Sequence, residues 1–318
     1  MWYLHLLILC VGFLILAKGA DYFVEASSSI AKRLGISKFV IGLTLVAVGT
    51  SIPELASSVI AAINEHPDLI LGNVIGSNIA NIGLVIGISA SIANIKTRGR
   101  LLKQNGYIML LATFLFSIFA FRGIISNGEA LIFLILYSFY LIFLLYVNSN
   151  PKNNSQPHDE SRIYFPGGLT GDFLVFLGGG VAVIIGGHLL VKEAVWFANF
   201  LKVPENIIGL SMVAVGTSLP ELGVSISAVK KGYGSMLVGN IIGSNIANIF
   251  LVLGVSALIN PLRITDSTIV FLIPFLSIIT FTFLFFIIKS WEIKRREGIS
   301  LLIIYSLFII FVFVFQLT

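Results

Sequence analysis

Four pairs of oxygen-bearing side chains stand four residues apart in otherwise apolar sequence: Thr50 with Glu54, Ser77 with Asn81, Thr217 with Glu221, and Ser244 with Asn248. Helix positions four apart share a face, so each pair can aim its oxygens at one point. None of the eight offers sulfur or imidazole. Carboxylate, hydroxyl and amide oxygens are hard ligands, suited to Ca²⁺, which takes about 6 to 8 of them, and to Na⁺. The same set serves zinc or copper poorly.

Of fifteen acidic residues, Glu54 and Glu221 alone fall deep within apolar segments, with no basic residue in their motifs. An ionised carboxylate at that depth costs several kcal/mol unless a cation, water or hydrogen-bond donors meet it, which makes an intramembrane acid a candidate for function. Pro53 and Pro220 accompany these acids, four residues after Gly49 and Gly216. Proline cannot donate to the carbonyl four residues back and its ring opens that turn; glycine is expected to ease the distortion. A helix broken at depth exposes carbonyl oxygens at the negative end of its first half, which suits a cation.

The elements that must position these groups are long and apolar. The 318 residues are 57% hydrophobic and 11% charged, with 26 phenylalanines, a composition that excludes an ordinary water-soluble domain. Apolar segments cover approximately 2–31, 37–63, 69–93, 104–121, 126–147, 169–199, 205–229, 235–259, 265–288 and 299–317. Each can cross a hydrocarbon core about 30 Å thick. The expected fold is an all-α integral membrane protein of ten transmembrane helices. The first segment lacks a basic region before its apolar run and is expected to be retained rather than cleaved as a signal peptide. The single cysteine, Cys10, excludes an intramolecular disulfide.

The net charge of +5 reads as topology. Fifteen of the twenty Lys and Arg residues, among them Lys32, Arg33, Lys96, Lys231 and Arg295, fall in one alternate set of loops; Arg122, Lys202 and Arg263 fall in the other, and Lys18 and Lys192 lie within helices. By the positive-inside rule the fifteen face the cytoplasm and both termini face out. With no targeting segment read in the sequence, a prokaryotic-type cell membrane is expected. This orientation role accounts for the charges, and no nucleic-acid partner is expected. The polar stretch 148–162 reads as a flexible cytoplasmic linker within 148–168, between units at 1–147 and 169–318.

The two units are copies. Residues 39–90 and 206–257 align without a gap at an offset of 167, with 29 of 52 positions identical. "VAVGTSIPEL" at 46–55 answers to "VAVGTSLPEL" at 213–222, and "GNVIGSNIANI" at 72–82 to "GNIIGSNIANI" at 239–249. Five helices per unit is an odd number, so the second unit enters the membrane upside down. Inverted-topology repeats of this kind place paired motifs, with discontinuous helices, face to face near the membrane midplane in secondary transporters. Gly72, Gly76, Gly83, Gly239 and Gly243 read as positions of close helix packing.

These doubled motifs resemble the two α-repeats of the sodium/calcium exchangers, within the calcium/cation antiporter superfamily. The resemblance implies a secondary antiporter, functional as a monomer and without a cofactor, whose transported ions are Na⁺ and Ca²⁺. It implies a Ca²⁺ site at Glu54 and Glu221 with oxygens of Thr50 and Thr217, and Na⁺ sites drawing on Ala47, Ser51, Ser77, Ala214, Ser218 and Ser244. It makes the first and sixth helices the sliding pair that switches access. Many members of the family resemble one another in having Asp where this chain has Asn248, and potassium-dependent members have Asp at the positions of both Asn81 and Asn248. The amide pair argues against potassium dependence. It also leaves two formal charges at the centre, matched by one Ca²⁺ or two Na⁺ and exceeded by the family's usual three Na⁺. H⁺/Ca²⁺ exchange on the same carboxylates is the nearest alternative, and a cation channel lined by these polar groups is one of another class. An enzyme is not expected: no His or Lys base accompanies Ser51 or Ser218, the histidines His5, His66, His158 and His188 are scattered, and no GxxxxGK[ST] phosphate loop is present.

Overall fold

The computed structural model describes residues 2–97, 99–148, 165–201 and 216–316. Helices stand at all ten expected positions, the seventh only in its second half, because residues 202–215 lie outside the described residues, as does most of the linker, 149–164. In chain order they are α1 (Trp2–Arg33), α2 (Lys38–Thr50), α3 (Ile52–Ile63), α4 (Pro67–Ile92), α5 (Arg100–Ala120), α6 (Asn127–Asn148), α7 (Gly168–Phe200), α8 (Leu219–Lys230), α9 (Gly234–Ile259), α10 (Thr268–Ser290) and α11 (Arg295–Gln316). α10 joins a short π-helical start, Thr268–Leu272, to Ile273–Ser290. Seven described helices are long and apolar enough to cross a membrane, eight if the bent pair α2–α3 counts as one span.

Burial separates the centre from the periphery. In α4 and α9, 83% of the span is buried, against 22% in α1 and 28% in α7. The two peripheral helices, at about 1.5 Å per residue close to 50 Å long, cross each other in opposite directions. Their crossing is lined by glycine. A Cβ on Gly19 would meet Ala182 Cβ at 2.8 Å, and one on Gly186 would meet the Leu16 nitrogen at 2.5 Å and the Gly12 oxygen at 2.9 Å. A Cβ on Gly179 would lie 2.8 Å from the Phe23 nitrogen. At the repeat offset Gly12 answers to Gly179 and Gly19 to Gly186, so the stripe is shared by both copies.

Two short ladders demonstrate the inversion directly. β1 (Ile95–Lys96) pairs antiparallel with β4 (Glu292–Ile293), and β2 (Ile124–Ile125) with β3 (Leu262–Arg263). The repeat offset makes β3 the mate of β1, yet the 21-residue α5 separates the β1–β4 face from the β2–β3 face. Mates therefore lie at opposite ends of the helices. Each ladder also ties one repeat to the other, and loops grouped together by their Lys and Arg content meet at the same face.

Acids other than the central pair are buried too, which their places near segment ends did not announce. Asp172, fully buried, accepts from Arg33 Nε at 2.5 Å, Ser29 Oγ at 2.8 Å and the Phe165 nitrogen at 3.3 Å. Glu193 is paired with His5 Nδ1 at 2.6 Å, and the His5 ring stacks on Trp196 with centroids 3.6 Å apart. Offset 167 relates His5 to Asp172 and Ser29 to Trp196, so one end of the α1–α7 crossing is fastened by ions and the other largely by rings. Arg33→Ala is expected to cost about 2 kcal/mol, below the usual range for stranding a buried charge because Arg33 is partly exposed. Adding Asp172→Asn should restore most of that loss in a thermal unfolding measurement, whereas equal melting of Arg33→Ala and wild type would contradict it.

Candidate cation site at the centre of the bundle

The helix break falls at Ser51. Its φ of −85° and ψ of 4° end α2, while Ser51 N–H still donates to Ala47 O at 3.0 Å and Leu55 N–H restarts the ladder on Ser51 O at 3.0 Å. Pro53 takes the second position of α3, where its missing N–H costs nothing. The two halves are bent by 43°. Gly49 does not act as the hinge: it is helical, with no positive φ, and its bare Cα faces Phe23, whose ring would lie 3.1 Å from a Cβ there. The matching residue of the second copy, Ser218, has the same backbone, with φ −87° and ψ 2°, and α8 starts with Pro220 at its second position.

The break places each glutamate at the third position of a new helix. Glu54 and Glu221 thus sit in the first turns of α3 and α8, at the positive end of each helix dipole, a feature that the carbonyl argument from sequence did not include. Thr50 is the last residue of α2, so Thr50 and Glu54 flank a bend and do not share one straight face. Ser-Ile-Pro-Glu and Ser-Leu-Pro-Glu also have the spacing of a capping box, in which serine and glutamate satisfy each other's backbone N–H groups. Neither serine caps its helix. Ser51 Oγ, Ser218 Oγ and all four carboxylate oxygens of Glu54 and Glu221 are buried without a hydrogen-bond partner among the described residues.

Hydroxyls from opposite repeats close the site. Thr50 Oγ1 lies 3.4 Å from Ser244 Oγ, and the mated pair Thr217 Oγ1 and Ser77 Oγ lie 3.1 Å apart. Thr50 Oγ1 also lies within hydrogen-bond reach of Asn240 Oδ1, at 3.2 Å, and of Ala47 O, at 3.3 Å, which Ser244 Oγ approaches at 3.5 Å. Asn81 and Asn248 are fully buried, and each opens a π-helical turn, Asn81–Ile86 in α4 and Asn248–Val252 in α9. Such turns concentrate at functional sites. Close approach of α2 to α9 depends on missing side chains: a Cβ on Gly243 would meet Leu43 O at 2.5 Å and Ala47 Cβ at 2.7 Å.

Of the residues singled out in the sequence, Ala47, Thr50, Ser51, Glu54, Ser77, Asn81, Thr217, Ser218, Glu221, Ser244 and Asn248 lie in these paired motif elements, while Ala214 lies outside the described residues. The sequence reading passed over Asn73, Asn78, Asn240 and Asn245. Asn73 Nδ2 donates to Glu54 O at 3.1 Å and to Ser58 Oγ at 2.8 Å, holding α4 to the first turns of α3. A signal for Asn73 and Asn240 existed, since each precedes a site serine by four residues in both copies of the motif.

Two inverted copies of one motif, converging on unpartnered carboxylates at the centre of an apolar bundle, define a membrane transporter of the inverted-repeat class. Residues 4–146 and 172–314 match the sodium/calcium exchanger protein family, and the chain belongs to it. It is 42% identical to the sodium/calcium exchanger MaX1 of Methanosarcina acetivorans, over 97% of this chain and 98% of that protein. It is 35% identical to an uncharacterized membrane protein of Methanocaldococcus jannaschii, over 93% of each. The structure of the sodium-calcium exchanger NCX_Mj soaked with 100 mM Na⁺ and 10 mM Sr²⁺ superposes with a TM-score of 0.82 at 34% identity, covering 96% of this chain and 98% of that one.

Proposed function

We propose that the chain exchanges Na⁺ for Ca²⁺ across the membrane by alternating access, the two ions taking the Glu54 and Glu221 carboxylates in turn. The observation that carries this reading is the set of four carboxylate oxygens, fully buried and without donors among the described residues. Membership of the exchanger family supports the choice of ions. The chain is a transporter and not an enzyme.

In this reading Ca²⁺ is held by Glu54 and Glu221 with the oxygens of Thr50 and Thr217. Na⁺ draws on Ser51, Ser77, Ser218, Ser244 and the carbonyls of Ala47 and Ala214, with Asn81 and Asn248 as neutral neighbours. Charge decides when the site can move. Two carboxylates alone carry a charge that is costly to pass through the apolar centre, and one Ca²⁺ or two Na⁺ cancel it. A third Na⁺ would make each cycle move one net charge, worth about 2.3 kcal/mol per 100 mV. The glycine-lined α1–α7 crossing supplies a smooth surface for the change of access. The Lys and Arg distribution favours both termini outside and the linker 148–168 in the cytoplasm. Archaeal relatives favour a prokaryotic-type cell membrane for this multi-pass protein, and in this reading it acts as a monomer in lipid with repeat units at 1–147 and 169–318.

The test is flux through purified protein in liposomes. An imposed Na⁺ gradient without a pH gradient is expected to drive uptake of radiolabelled Ca²⁺; uptake driven only by a pH gradient would overturn the sodium assignment.

A further inference from the structure

Four asparagines meet where α4 and α9 face each other across the repeat axis, and all four are buried to within 1%. Asn81 Nδ2 donates to Asn245 Oδ1 at 3.1 Å, and its mate Asn248 Nδ2 donates to Asn78 Oδ1 at 3.0 Å. Asn78 Nδ2 donates to the backbone oxygen of Asn245, and Asn245 Nδ2 to the backbone oxygen of Asn78, each at 3.3 Å.

The backbone contacts fix the direction of every bond in this quartet. A carbonyl oxygen only accepts, so the Asn78 atom facing Asn245 O is the amide nitrogen, and the Asn78 atom facing residue 248 is therefore the oxygen. Residue 248 must then donate. Its second atom is Oδ1, which, like Asn81 Oδ1, is buried and has no hydrogen-bond partner among the described residues. The π-helical turn that Asn81 opens packs on α8, the helix of Glu221, and the turn that Asn248 opens packs on α3, the helix of Glu54.

We propose that Asn78 and Asn245 are positioning residues that set, crosswise between the repeats, the amide orientation of Asn248 and Asn81, so that both Oδ1 atoms are presented to the cation as neutral ligands. The proposal rests on the reading that a cation occupies the Glu54–Glu221 site. It explains why amides at 81 and 248 are built into this chain: the anchored partner demands a donor, and a donor with one oxygen to spare is an amide.

A role in holding α4 to α9 alone would predict no particular pairing between variants, so the test is a pair of double-mutant cycles. The readout is the apparent Ca²⁺ affinity from Ca²⁺-dependent thermal stabilisation of the full-length protein in Na⁺-free detergent solution. Asn78→Ala and Asn248→Ala are each expected to weaken Ca²⁺, and the double variant to fall short of the product of the two by about threefold or more. Asn245→Ala with Asn81→Ala should behave alike, while Asn81→Ala with Asn248→Ala, which share neither a bond nor a hydrogen-bond partner, should multiply. Products in the crossed pairs, or an unchanged affinity in Asn78→Ala, would overturn the proposal. Where an alanine variant does not fold, Asn78→Ser or Asn245→Ser takes its place with the same expectations. A wild type that Ca²⁺ does not stabilise would overturn the functional reading itself, whereas a stabilised wild type with uncoupled variants overturns this inference alone.

Discussion

Glu54→Gln and Glu221→Gln are each expected to lower Ca²⁺ transport by about a hundredfold or more, which corresponds to roughly 2.7 kcal/mol, while leaving the protein folded and, without cations, more stable than wild type. Both effects have one cause. Each carboxylate is fully buried with no hydrogen-bond partner to its oxygens among the described residues, so its charge is a cost unless a bound cation or a proton offsets it. Glutamine keeps the shape, removes the charge, and removes half of what compensates Ca²⁺. Most core substitutions move stability and activity in the same direction. Here melting temperature in cation-free buffer should rise as uptake falls, and the further rise on adding Ca²⁺ should shrink. Near-normal uptake by either variant would contradict the assignment of these residues.

A methyl group at the α1–α7 crossing is expected to have the second large effect. Gly186→Ala puts a carbon 2.5 Å from the Leu16 nitrogen, a backbone atom that cannot turn aside as a side chain would. The helices must separate there, at a cost of about 1–3 kcal/mol typical of overpacking. The unpartnered carboxylates and the hydroxyl pairs lie on α2, α3, α4, α8 and α9 and in the turn before α8, not on α1 or α7. Exchange is therefore expected to slow about tenfold, as an added cost of 1.4 kcal/mol would give, with apparent Ca²⁺ affinity held within about twofold. Gly19→Ala, the repeat mate, should do the same. A Ca²⁺ affinity that falls in parallel with exchange would show instead that the stripe supports the site rather than its movement.

How far the sequence speaks depends on whether a property is periodic or pairwise. The constant offset of 167 exposes both copies of the motif, and five apolar segments per copy dictate the inversion that the β1–β4 and β2–β3 ladders display. The depth of Glu54 and Glu221 follows from apolar sequence on either side. What was not legible arises between elements. Asn78 and Asn245 find their partners only once α4 and α9 meet, and Asp172 and Glu193, though close to segment ends, are buried by the crossing of α1 with α7. Proline announces a break but not its residue: the chain turns at Ser51, two residues earlier, because Pro53 is accommodated in the first turn of the new helix. Gly49 and Gly186 are alike in sequence, and only their neighbours show that both serve packing.

The claim that one pair of carboxylates serves both ions is tested most directly by equilibrium binding. Purified protein should bind radiolabelled Ca²⁺ with an apparent affinity that weakens steadily as Na⁺ is raised, at unchanged capacity, because either ion must leave Glu54 and Glu221 before the other takes them. Ca²⁺ binding indifferent to Na⁺, or reduced in capacity at constant affinity, would mean that the two ions occupy separate sites, and would contradict the account.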